Sequence, residues 1–152
     1  MNVIDETLEL YAGKLESKLL MVEKQVDSRP MIRARRGDLY QIFANLLTNA
    51  IDALPTSGKI LVKVESPAEG EISLEVTDEG DGVAPEIAPR LFEPFFTTKK
   101  DIGTGLGLWV SRRLAEQMGG SITFNNRKDR QGASFRVSLQ TGTGALKQAA
   151  TD

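Results

Sequence analysis

The sequence predicts an α/β fold: a two-layer sandwich in which about five strands, mixed and mostly antiparallel, pack against three helices. Three observations lead there. Two stretches flanking the middle of the chain, and a shorter one at its start, carry apolar residues at helical spacing. Five short runs rich in β-branched residues are bounded by turn residues. The two kinds of element do not alternate strictly, as a doubly wound parallel sheet would require.

Val3, Ile4, Leu8, Tyr11 and Leu15 make the opening stretch an amphipathic helix. Leu20, Val22 and Val26 alternate roughly as in a strand, which Arg29-Pro30 ends in a turn. Leu39, Ile42, Phe43, Leu46, Leu47, Ala50, Ile51 and Leu54 form one broad apolar face, with Asp38 as its N-cap and Pro55 as its stop. Ile60–Val64 and Ile72–Val76 read as strands joined by a hairpin loop from Ser66 to Gly70. From Gly80 to Gly105 there are glycines, prolines and a short aromatic cluster with little periodicity; so long a loop is functional or disordered. Leu106–Met118 is a second major helix, closed by Gly119-Gly120, and Ser121–Asn125 and Ala133–Leu139 form a last strand pair. These elements give one domain over residues 1–140 and a flexible Gly/Thr/Ala-rich tail over residues 141–152.

Composition narrows the chemistry. At 152 residues the chain suits one domain with a real core. Nineteen basic against 21 acidic side chains leave a net charge of −2, so a nucleic-acid partner gains no general electrostatic support. Cysteine is absent, which excludes disulfides, zinc–thiolate sites and thiol catalysis. Histidine is absent too, which removes imidazole acid–base chemistry and means the chain cannot itself carry a phosphohistidine. No apolar run reaches the ~18 residues of a membrane span and no signal peptide opens the chain. The expectation is a cytoplasmic domain without membrane contact of its own, compatible with a parent anchored in the inner membrane.

Four stretches carry candidate chemistry. Asn45, Asn49 and Asp52 lie at i, i+4 and i+7 on the long helix, with Gln41 extending the stripe. An amide oxygen is a neutral, hard ligand suited to completing a Mg²⁺ shell filled mostly by phosphate and water, whereas the plainer reading is a solvated helix face. Asparagine forms helix poorly, so two in mid-helix need a reason. Asp78-Glu-Gly-Asp-Gly82 runs off the end of a strand. A buried Asp78 carboxylate can accept from an adenine amino group and would reject guanine, whose oxygen is itself an acceptor. Gly80 and Gly82 would let the backbone approach the ring. The same residues also suit an acidic turn, while a calcium loop fails because the twelfth position from Asp78 is Pro89.

Leu91-Phe92-Glu93-Pro94-Phe95-Phe96 is an apolar knot in a polar loop, able to anchor a flap to the body. Lys99 and Lys100 follow; Lys99 is placed to meet phosphate charge, and Lys100 reads as solvated. Gly103, Gly105 and Gly107, with Thr104, Leu106 and Leu108 between and after them, lead into the second major helix. Unobstructed N–H groups at a helix start make an anion site, although a triple-glycine run is also often a hinge. Trp109 and Met118 read as core residues.

In this order and at this spacing, the residues resemble the ATP-binding catalytic domain of two-component sensor histidine kinases. That domain has the Bergerat-type fold of the superfamily shared with gyrase B, MutL and the heat-shock ATPase chaperones. The likeness covers about Val3 to Leu139. Asn45-Leu-Leu-Thr-Asn49-Ala resembles the family's N box, Asp78 to Gly82 its first glycine box, Leu91 to Lys99 its F box, and Gly103 to Leu108 its second glycine box. Gln131 to Phe135 resembles a last, weaker glycine box. The resemblance implies ATP and Mg²⁺ as cofactors. Asn49 would bind the metal, Asn45 support the phosphates, and Asp78 hold adenine with Gly82 near it. Residues 83–104 would form an ATP lid, and Lys99 with the amides around Gly105 to Leu108 would face the phosphate tail. Two residues depart from the pattern. Asp52 stands where many of these kinases have lysine, and Ala133 where threonine is common.

The superfamily's hydrolases carry a glutamate four residues before the metal asparagine, and here that place is Asn45. A neutral amide is a poor general base, so the resemblance implies slow hydrolysis and transfer of the γ-phosphoryl to a protein acceptor. Asn45 and Lys99 would support that transfer. The acceptor histidine would stand on a separate helical-hairpin domain of the same kinase, with a response regulator as indirect partner and the isolated domain monomeric. Rival readings are an anti-sigma-type serine/threonine kinase, a nucleotide-binding regulatory module without transfer, and an ATPase clamp.

Overall fold

The computed structural model describes residues 3–26, 36–66, 70–95, 106–128 and 131–140. Helices α1 (Val3–Leu10) and α2 (Ala12–Ser17) precede strand β1 (Leu20–Val26). The long helix α3 (Arg36–Ala53) leads to β2 (Gly58–Glu65) and β3 (Glu71–Asp78). A single 3-10 turn (Ala88–Arg90), helix α4 (Gly107–Gln117), β4 (Ser121–Asn126) and β5 (Ala133–Gln140) complete the fold. The strands form one sheet in the order β1-β2-β3-β5-β4. Only the β1–β2 pair is parallel, and α3 lies in the chain between those two strands. The other three pairs are antiparallel.

Strand periodicity decides which face is covered. Ile60, Val62 and Val64 of β2, Ile72 and Val76 of β3, and Ala133, Phe135, Val137 and Leu139 of β5 are buried on one face. Six α3 residues join that layer in one core, Ile42, Phe43, Leu46, Leu47, Ala50 and Ile51, and Ala44 of the same helix is also buried. Leu54 follows as the last core contact before Pro55. The opposite face of the sheet is polar. Thr77 Oγ1 donates to Ser134 Oγ at 3.1 Å, an Arg136 guanidinium nitrogen to Ser73 Oγ at 3.3 Å, and Ser138 Oγ to a Glu71 carboxylate oxygen at 2.7 Å.

The structure departs from two local expectations. The opening helix is two helices, broken at Tyr11, whose φ of −99° and ψ of 9° leave the helical region. Gly13, a weak helix former, stands two residues on. Thr7, fully buried on α1, satisfies its hydroxyl by donating to the Val3 carbonyl at 2.7 Å. Asp38 lies inside the first turn of α3, since the helix begins at Arg36. From there its charge favours the helix through the dipole instead of capping it. The turn at Arg29-Pro30, the middle of the Ser66–Gly70 loop and the tail over residues 141–152 lie outside the described residues.

Candidate functional site

Asp78 is the last residue of β3, the middle strand, and shares the parity of Ile72, Leu74 and Val76. Alternation therefore points its carboxylate into the apolar layer, where it is 3% exposed. Burial pushes the carboxyl above the ordinary carboxylate range. Backbone N–H groups of Gly80 and Ala133 and the Arg127 guanidinium pull in the opposite direction. The Gly80 bond to Oδ1 is 2.8 Å long.

Close packing surrounds the loop after Asp78. A Cβ on Gly80 would lie 2.7 Å from the Ala53 carbonyl oxygen at the end of α3. One on Gly132, whose φ is +134°, would lie 2.1 Å from the Asp78 carbonyl oxygen. Both positions need glycine because backbone lies where a side chain would go. At Gly82, φ is +79° and a Cβ would meet Asn126 Oδ1 at 2.8 Å. Asn126 closes this turn with both ends of its amide. Its Oδ1 accepts from Val83 N–H at 2.9 Å, and its Nδ2 donates to the Val83 carbonyl at 2.7 Å. Glu79 points away and accepts the Lys59 N–H at 2.8 Å, tying the loop to β2.

The polar stripe of α3 links this loop to the start of α4. Asn45 Nδ2 donates to the Gly107 carbonyl and to Ser111 Oγ, each at 3.0 Å, and its Oδ1 accepts from Gln41 Nε2 at 3.1 Å. Asn49 and Asp52 are half-buried between these ends and carry contacts of their own. At 1.5 Å per residue, Asn45 and Asp52 stand about 10 Å apart along the helix. Helix α4 opens at Gly107 with no side-chain cap from Leu106, and Leu108 is half-buried against the core. The first N–H groups of an α-helix have no intrahelical acceptor, and Leu106 supplies no side-chain cap for those of α4. Lys99, Gly103, Thr104 and Gly105 lie outside the described residues, as do Phe96 and Lys100.

Beyond the Asn126–Val83 bonds, the described part of the loop, 83–95, meets the core through Leu91 and Phe92. Phe92 meets Phe135 edge-on, with ring centroids 6.3 Å apart, and the Arg112 guanidinium lies 5.6 Å from the Phe92 centroid. Leu91 packs beside it. Phe95 is not an anchor: it is 75% exposed at a φ of +65°. A groove of about 340 Å³ opens between this segment and α4, lined by Pro89, Phe92, Pro94, Trp109 and Arg113 among others. It does not include Asp78 or the α3 stripe.

Spacing alone does not mark Ser111 or Asn126 as site residues, whereas Gly132 lies in the last glycine-box stretch. Ser111 had a signal: it falls in the apolar stripe of α4 with Leu108, Ala115 and Met118, where a hydroxyl needs a partner. Asn126 had none, since its partner lies 43 residues away.

Over residues 34–143 the sequence matches the family described as histidine kinase-, DNA gyrase B-, and HSP90-like ATPase. The chain belongs to that family and, within it, to the catalytic domains of protein histidine kinases. It is 34% identical over 139 residues to sensor histidine kinase ZraS of Salmonella typhi, covering 91% of this chain and 30% of that kinase. The catalytic domain of histidine kinase ThkA, in a nucleotide-free form, is 30% identical with a TM-score of 0.81, covering 91% of this chain and 92% of that one. Full-length ShkA in complex with AMPPNP is 31% identical with a TM-score of 0.81, covering 95% of this chain and 31% of that one. ThkA in complex with response regulator protein TrrA is 26% identical with a TM-score of 0.78, covering 93% of this chain and 41% of that one. The chain spans less than a third of the length of the curated relatives it matches. Among the described residues no helix is long and apolar enough to cross a membrane.

Proposed function

We propose that this domain binds Mg·ATP along the polar stripe of α3 and donates the γ-phosphoryl to a histidine on a separate helical hairpin of the parent kinase. The observation that carries this reading is that one helix joins two complementary ends. Its C-terminus packs against the loop of the buried Asp78 carboxylate, and Asn45 bonds the start of α4. The intervening ~10 Å suits a nucleoside triphosphate with its base at Asp78 and its phosphates toward the N-terminal amides of α4. Asp78 would accept from the adenine amino group, next to Gly80 and Gly82. The side chain of Asn49, with Asp52 nearby, would face the phosphates.

The donor set fits a magnesium ion that arrives on the nucleotide. Among the described residues no group of three acidic side chains could hold a bare divalent ion. Amide oxygens on α3 can complete a shell made mostly of phosphate and water, and the ion's role is to neutralise phosphate charge. Lys99, Gly103, Thr104 and Gly105 would close over the phosphate tail. Asn45, a neutral amide with both hydrogens already donated, offers water no base, so bound ATP would persist. Transfer then needs in-line approach: the acceptor imidazole lone pair forms the N–P bond as the bond to the β-phosphate oxygen breaks and ADP leaves. The AMPPNP complex of ShkA and the TrrA complex of ThkA support the nucleotide and the response regulator as ligand and indirect partner. The domain would face the cytoplasm, where ATP is, whether or not its parent is anchored in a membrane.

Calorimetry with AMPPNP tests this. We expect binding that magnesium strengthens, no binding of the guanine analogue, and loss of the magnesium effect in Asn49→Ala. Wild-type protein that ignores AMPPNP, or binds it equally with and without magnesium, refutes the reading.

A further inference from the structure

We infer that Ser111 is a positioning residue for the magnesium-bound nucleotide, acting through Asn45; the inference rests on the nucleotide reading above. Ser111 lies on the face of α4 that meets α3, and its side chain is fully buried. Its Oγ accepts one hydrogen of Asn45 Nδ2, and the Gly107 carbonyl is the second acceptor of that nitrogen. A carbonyl can only accept, so the atom facing Gly107 must be the nitrogen. Both amide hydrogens are thus consumed in the seam between the two helices.

What Asn45 has left is Oδ1, on the exposed side, where it accepts from Gln41 and keeps a second lone pair. That oxygen repels phosphate oxygens and attracts a cation or the water bound to one. Asn45 in this setting would support the phosphates through a cation or its bound water, since both of its amide hydrogens are donated within the protein. Ser111 therefore fixes which end of the amide Asn45 presents. Without the hydroxyl, one hydrogen loses its acceptor and the side chain can turn its N–H outward. The same contact sets the seating of the α3 stripe against the first turn of α4. The effect belongs to the magnesium-dependent part of nucleotide affinity and not to recognition of the base.

The test is calorimetry of AMPPNP on the whole domain, with magnesium and with chelator. Ser111→Ala removes only the hydroxyl and substitutes a better helix former. It should weaken binding about three- to tenfold with magnesium, the net worth of one hydrogen bond, and by less than about twofold without it. Ser111→Cys, similar in volume and a weak acceptor, should give the same loss. In an Asn45→Ala background, Ser111→Ala should add nothing. In nucleotide-free protein, NMR should show both Asn45 side-chain amide protons protected from exchange, and one of them exposed in Ser111→Ala. Where the wild type binds AMPPNP, equal losses with and without magnesium, or an additive loss in the Asn45→Ala background, overturn the assignment. A wild type that binds no nucleotide overturns the proposed function and this inference with it.

Discussion

Asp78 stands in the apolar layer with two backbone N–H groups and the Arg127 guanidinium to offset its lost hydration, and burial outweighs them. A carboxyl held above its usual value of 3.8 binds its proton more tightly in the folded than in the unfolded chain. Its contribution to stability is complete below the unfolded value and declines as pH rises through the raised folded value. Near neutral pH the ionised group thus works against the empty fold. We expect Asp78→Asn to raise the melting temperature of the nucleotide-free domain near pH 7, with the difference shrinking as pH falls toward about 4. The same change should weaken ATP binding by ~1–3 kcal/mol through the lost charged acceptor. A lower melting temperature at pH 7 would show that the backbone bonds to the carboxylate outweigh its desolvation. Unchanged affinity would remove Asp78 from the base pocket. The inward position of Asp78 was legible in the sequence, because parity with Ile72 and Val76 fixes it. The neighbours that shape it were not. Gly132 and Arg127 come from a distant hairpin, and Gly80 is fixed as much by the end of α3 as by any ligand.

At the scale of elements, the segment after β3 is held at two points of different strength. The two Asn126–Val83 bonds hold its start to β4, while farther along it leans on Phe92, wedged between Phe135 and Arg112. An aromatic pair of this kind contributes about 0.5–1.5 kcal/mol beyond its buried area. Local opening here should therefore be cheaper than global unfolding. Phe92→Ala is expected to speed protease cleavage within 83–95 several-fold while the melting temperature falls only slightly, read by mass spectrometry and thermal denaturation. Cleavage at the wild-type rate would show that Phe92 is not the anchor. Long periodic elements were the most readable in the sequence, α3 above all, whose apolar face is the core itself. Spacing predicts one opening helix because the apolar pattern carries on through Tyr11, where the backbone breaks. The 3-10 turn at Ala88–Arg90 was hidden inside an aperiodic stretch; Pro89 at its start is compatible with either reading.

At the scale of the whole molecule, the proposed reaction needs a phosphoacceptor imidazole that this chain does not carry. It has no histidine. Its sheet has an open polar face whose side chains bond one another, and its large exposed apolar residues among those described are few: Leu10, Leu19, Met21, Val26 and Phe95. In the proposed reaction the acceptor histidine would come from a separate domain; the chain spans less than a third of the length of its curated relatives. Given labelled ATP and magnesium, the isolated domain should remain unlabelled. Added to the helical hairpin of its parent kinase, it should label that hairpin with phosphate that is lost in acid and kept in alkali, as a phosphoramidate is. Ionic steering contributes little at a net charge of −2, so the rate should depend mainly on domain concentration and weakly on salt. Tethering the two domains should accelerate transfer by raising their effective concentration. Acid-stable label appearing on a serine or threonine would instead assign the domain to hydroxyl transfer, with its nucleotide site intact and its acceptor class wrong.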